Sequence, residues 1–178
     1  VTAGADFQAD PPIIRAKGVA KIITERQTTT EVRNARGLWF YDSLQCPGCC
    51  PKVGPGCKRG YLTTSVPPGS VSGVGHVLYT VDGTTWAVTA ADPFGAGEDV
   101  GAVVAFYTGP DTVRVVVARA TTDAGNPAEI AYSDDGGANW TTVNVGTTNG
   151  EYARGGRPMW ALDRAHIWLV TDLGNVYF

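Results

Sequence analysis

A chain of 178 residues with 43% hydrophobic residues can bury the core of one domain, or of two small ones. Its 14 Lys and Arg stand against 17 Asp and Glu, a formal charge of -3, and the basic residues are scattered. No run of them lines a phosphate backbone, so nucleic acid is excluded as a partner, and no stretch reaches the roughly 18 to 20 consecutive apolar residues of a membrane-spanning helix.

Gly at 23, Pro at 11 and a single Met, with abundant Thr and Val, predict short strands joined by turns. An all-β chain is expected. Residues 1–36 carry no pattern beyond that of an N-terminal arm or strand segment. The chain opens on Val1 without a Met, which fits a removed leader or a missing end, and no signal-peptide pattern chooses between them.

From Gly37 the strands can be taken in order. "GLWFYDS" (Gly37 to Ser43) and "GYLTTS" (Gly60 to Ser65) read as the first two strands of one unit. A cysteine-rich insertion over residues 44–59 separates them, with Cys46, Cys49, Cys50 and Cys57 in "CPGCCPKVGPGC". Two short disulfides bracing a loop of low apolar content are the favoured reading. A four-thiolate zinc site is the alternative, because "CPGC" has the C-x2-C spacing of a tetrahedral knuckle. Against zinc, Cys50 and Cys57 form no second knuckle and Cys50 directly follows Cys49.

"GHVLYTVDGTTWAV" (Gly75 to Val88) then aligns with "AEIAYSDDGGANWTTV" (Ala128 to Val143). Each runs through an aromatic, a hydroxyl, an Asp, a Gly and a Trp, so Thr80, Asp82, Gly83 and Trp86 correspond to Ser133, Asp135, Gly137 and Trp140. Between the copies, "GAVVAFYT" (Gly101 to Thr108) and "TVRVVVARA" (Thr112 to Ala120) are β-branched runs split by the turn signal "GPD". "AEIAYS" follows and turns through "DDGGA" into "NWTTVNV", which closes a four-stranded meander. The pattern restarts with "RPMWALD" (Arg157 to Asp163), "HIWLVT" (His166 to Thr171) and "NVYF" (Asn175 to Phe178), where Asn175 to Phe178 match Glu129 to Tyr132.

A four-stranded unit recurring at roughly 45 to 55 residues is the pattern of a β-propeller blade. The S-x-D-x-G-x-x-W arrangement of Ser133, Asp135, Gly137 and Trp140 resembles the Asp box of BNR-repeat propellers, found in sialidases, sortilin-type receptors, xyloglucan hydrolases and a photosystem assembly factor. The first copy is one residue shorter between Asp and Trp. The resemblance covers residues 37–178 and implies a β-propeller fragment of four-stranded antiparallel blades with Asp-box hairpins.

The chemistry of the box is architectural on this reading. An Asp in a hairpin accepts bonds from backbone amides two or three residues on, Gly supplies positive φ, and Trp covers the base of the turn. A calcium or ligand role for Asp134 and Asp135 is the competing reading. No catalytic residue is assigned. His76 and His166 read as half-buried strand residues, no Ser sits in a G-x-S-x-G elbow, and no glycine run precedes a helix as in a phosphate loop. Asn139-Trp140-Thr141 is formally a glycosylation sequon whose Asn falls inside the box turn.

These readings converge on a non-enzymatic structural or binding module of an extracellular, cell-surface, virion or filament assembly. The alternative is a fragment of a carbohydrate-active propeller such as a sialidase or other glycoside hydrolase. A sialidase of that family would bring an arginine triad and an Arg-Ile-Pro motif, and this chain has no Arg-Ile-Pro. Closed propellers have typically ~4 to 8 blades, so the chain is expected to be completed by a longer polypeptide, neighbouring subunits or another protein, with carbohydrate as a further candidate ligand. No cofactor is expected beyond the zinc alternative at the cysteines.

Overall fold

The computed structural model describes residues 35–40, 59–65, 73–81, 85–108, 112–121, 125–153, 158–163 and 165–178. The expected arm up to residue 34, the four cysteines, and Asp82 and Gly83 of the first repeat lie outside the described residues.

Among the described residues the chain is all-β, without a helix, and folds into three antiparallel sheets. The first orders β1 (Ala35–Phe40), β2 (Gly60–Thr64), β3 (Val77–Thr80) and β4 (Ala87–Val88) side by side. The second does the same with β5 (Val100–Tyr107), β6 (Val113–Arg119), β7 (Glu129–Ser133) and β8 (Thr141–Asn144). The third holds β9 (Met159–Asp163), β10 (His166–Val170) and β11 (Val176–Tyr177). Each sheet is a plain meander, as the repeat predicts, and strand ends differ from the expected ones by only a few residues.

The second sheet lies in the middle and explains the sequence of its strands. The Val and Ala runs of β5 and β6 are buried along most of their length because both faces are covered, so apolar residues need not alternate with polar ones. One face carries Val103, Ala105, Val115, Val117 and Ala131 against Tyr61, Val77 and Phe94 of the first unit. The other carries Ala102, Val104, Val116 and Ala118 against Met159, Ala161 and Leu169 of the third sheet. A third cluster, Leu62, Leu78 and Trp86 with Leu38 and Val88 packed against it, lies on the far face of the first sheet. Strands β1 and β2 pack on β5, and β5 packs on β9, so the first strands of successive sheets are neighbours.

The outer strands behave differently. β8 is exposed along its whole length, whereas β9 begins with buried Met159 and alternates through exposed Trp160 to buried Ala161. Period-2 alternation in β9 is the mark of a sheet with one face covered and one open.

Candidate functional site

The turn from Ser133 to Trp140 is built by its own side chains. Ser133 is buried at the end of β7, and its hydroxyl donates to Asp135 Oδ1 at 2.7 Å while accepting the amide of Gly137 at 2.7 Å. The same carboxylate oxygen accepts the amides of Ala138 and Asn139 at 3.0 and 2.9 Å, three and four residues on, and Oδ2 accepts Asn139 Nδ2 at 2.6 Å. These donors, the Asn139 side-chain amide first, hold the Asp135 carboxyl well below the usual carboxylate range. Gly136 and Gly137 stand at φ +73° and +102°, a region that disfavours any residue with a Cβ.

The turn also reaches the preceding sheet. Trp140 Nε1 donates to the carbonyl of Ala91 at 2.9 Å, and the amide of Ala91 donates to the carbonyl of Gly137 at 3.3 Å. A Cβ on Gly137 would lie 2.8 Å from Thr89 Cβ and 3.4 Å from Trp140 Cζ2, so the glycine is also demanded by close approach of the two units. The indole N–H serves the connection after β4 rather than its own hairpin. Asp134 is held elsewhere: Arg114 grips it through Nε and Nη2 at 2.5 and 2.8 Å and lies over the Tyr132 ring at 5.2 Å. Both acids of the motif are therefore engaged by protein donors. Of the first repeat, Thr80 and Trp86 are buried.

Beside this turn lies a groove of about 560 Å³ between the first two units, with Arg59, Tyr61, Tyr79 and Asp135 among its walls. Burial pushes the Tyr61 phenol up to about 12, and its hydroxyl donates to the Gly136 carbonyl at 3.5 Å, the outer limit of a hydrogen bond. The phenol therefore stays neutral, and the Asp135 carboxylate on the same wall is engaged by its own turn.

Three arrangements escaped the sequence reading. Glu151, in the connection between β8 and β9, is fully buried and accepts bonds from Thr171 Oγ1, from Asn175 Nδ2 at 2.9 Å and from Tyr177 Oη at 2.6 Å. Burial alone would raise its pKa, and the three donors outweigh that and hold it low. The Tyr177 phenol is correspondingly raised, chiefly by this bond to Glu151. Arg119, 3% exposed at the end of β6, donates to the Pro127 carbonyl at 2.9 Å and faces Glu98 and Glu129 at 3.7 and 3.6 Å.

The third arrangement is an aromatic ladder on the open side of the third sheet. Trp160 and Trp168 stand opposite one another with ring centroids 4.9 Å apart, and Phe178 lies 5.1 Å from Trp168. Trp160 is 58% and Phe178 76% exposed. His166 stacks near Trp168 and Phe178 and pairs with Asp163 at 2.9 Å, so it is a surface strand residue, while His76 pairs with Asp92 at 2.7 Å. The apolar run of "MWALD" marks a strand but does not say which of its faces carries the ladder. Nothing local marks Glu151.

Among the described residues no group of three or more His, Cys, Asp or Glu is placed to hold a metal ion, and no helix is long and apolar enough to cross a membrane. No protein family, characterised protein or solved structure matches the chain.

Proposed function

We propose that the chain is a non-enzymatic structural or binding module, a portion of an Asp-box β-propeller that serves an extracellular, cell-surface, virion or filament assembly. The observation that carries this reading is the use made of Asp135 and Trp140. The carboxylate spends its lone pairs on its own hairpin, and the indole N–H joins that hairpin to the preceding sheet. A motif so engaged organises neighbouring units and has little left for substrate. The order of the sheets supports the propeller: successive meanders of four, four and three strands pack face to face with their first strands adjacent, as blades do around an axis.

The test pairs Asp135→Ala with an activity screen. The wild-type chain should release no sugar from sialosides or plant and microbial polysaccharides, and the variant should melt earlier while binding of any partner is unchanged. Turnover of a glycan by the wild-type chain, or loss of binding at an unchanged melting midpoint, would overturn the module reading.

A further inference from the structure

The connections between sheets carry a second repeat, shorter than the hairpin motif. Gly97-Glu98 precedes β5 and Gly150-Glu151 precedes β9, at the same spacing as Tyr79 and Tyr132. Both glycines stand at φ +84°. The Gly97 amide donates to the Gly73 carbonyl at 2.7 Å and the Gly150 amide to the Asn126 carbonyl at 2.9 Å, which are again corresponding residues. Each glutamate amide closes the same tight turn, Glu98 onto the Gly95 carbonyl at 3.3 Å and Glu151 onto that of Thr148 at 3.4 Å. The next residue clasps the end of the second strand of the sheet that follows. The Ala120 amide donates to the Asp99 carbonyl at 2.9 Å, and the Asp172 amide to the Tyr152 carbonyl at 3.1 Å.

We infer that the Gly97-Glu98 and Gly150-Glu151 pairs are joints that dock each connection onto the sheet it leads into, with the glutamate carboxylate holding the joint shut, and that the two joints open separately. The carboxylate is the constant part and the strand end it meets is the variable part. In the first joint Glu98 faces Arg119, the last residue of β6, at 3.7 Å, and Arg119 also faces Glu129 of β7 at 3.6 Å. In the second joint Thr171 and Asn175 take the positions of Arg119 and Glu129, since Val170 stands opposite Val176 as Ala118 stands opposite Ile130. Glu151 accepts from both of them and from Tyr177. One joint thus sets a buried guanidinium between two carboxylates, and the other sets a buried carboxylate among three neutral donors. Separate opening follows from where the partners lie. Arg119 and Glu129 belong to β6 and β7, whereas Thr171, Asn175 and Tyr177 belong to the hairpin from β10 to β11. A bond from the Ala153 amide to the Arg119 carbonyl, at 2.9 Å, also ties the third unit to the end of β6, but it runs from backbone to backbone and uses neither carboxylate. The inference concerns the joints alone and stands whether or not the chain acts on a glycan.

Backbone amide exchange of the whole chain, read residue by residue by NMR at one pH, tests this through Ala120 and Asp172, one at each joint and both remote in sequence from the glutamates. Glu151→Gln should speed exchange of the Asp172 amide about tenfold and leave that of Ala120 within about twofold. Glu98→Gln should do the reverse. A second variant keeps each joint readable if a glutamine chain fails to fold. Thr171→Val removes one donor to Glu151, and Arg119→Met leaves Glu98 and Glu129 where water can reach them, each being 22% exposed. Rates in these two chains are corrected for the changed neighbouring side chain. Ala120 and Asp172 moving together would show a single cooperative opening and overturn the inference. So would an Asp172 amide indifferent to both Glu151→Gln and Thr171→Val, or an Ala120 amide indifferent to both Glu98→Gln and Arg119→Met. The glycan-release assay decides the module reading separately, whatever rates are found.

Discussion

Replacing Glu151 with Ala removes one carboxylate that three side chains share across the third sheet. Thr171 is fully buried, and its hydroxyl has a weaker acceptor at hand in the Asn175 carbonyl at 3.5 Å. Asn175 and Tyr177 can turn to water, because neither is fully buried. One buried donor thus loses most of its partner and two partly exposed donors lose a charge-assisted one, while the lost side chain leaves a void beside Gly146 and Ala128. The sum is about 3 kcal/mol, or about 6 to 12 °C in the melting midpoint of a chain this size. Glu151→Gln keeps the shape and one acceptor oxygen and should cost about 1 to 2 kcal/mol. The pH dependence separates charge from shape. A carboxyl held low in the folded state contributes stability that is fully present above its unfolded value, about 4.3, and is lost as the pH falls through the folded value. The gap between wild type and Glu151→Gln should therefore be flat from about pH 5.5 to 8 and shrink below about pH 4. Asp135 and Asp163 are also held low, but they are common to both chains and cancel in the difference. Urea titrations across that range are the assay. A Glu151→Ala chain within about 0.5 kcal/mol of wild type, or a Gln gap as large at pH 3 as at pH 7, would refute the reasoning.

Gly137→Ala should cost about 3 kcal/mol or more, because the added methyl meets Thr89 as well as a φ of +102°. Gly174→Ala, at φ +83° with open space around it, should cost only about 1 kcal/mol, and urea midpoints of the two compare the terms directly. Asp135→Ala should lower stability by about 1 to 2 kcal/mol, moderated because its turn is exposed to water, and calorimetry reads the change. The cysteines, if oxidised as two disulfides, should give an intact mass under denaturing, non-reducing conditions about four units below the reduced chain; free thiols appearing after zinc is chelated would refute that.

What could be read from the residues alone was whatever depends on near neighbours. The β-branched runs of β5 and β6, the turn at Ser133 to Trp140 and the restart of the pattern at β9 all rest on strand propensity and turn chemistry within a few residues. Asp135 was legible for that reason: its acceptor role spans three and four positions. Trp140 could not be read as a donor to Ala91, a partner 49 residues earlier that only the packing of two sheets brings within 2.9 Å. Glu151 was missed for the same reason, since its donors come from a hairpin 20 to 26 residues later and a lone Glu in "NGEYA" carries no sign of burial. The open face of the third sheet is the clearest case. A strand has two faces, yet Met159, Trp160, Ala161 and Leu162 of β9 are all apolar, so hydrophobicity could not say which face is covered. The second sheet decided it by packing against Met159, Ala161 and Leu169, which leaves Trp160 and Leu162 on the outer face.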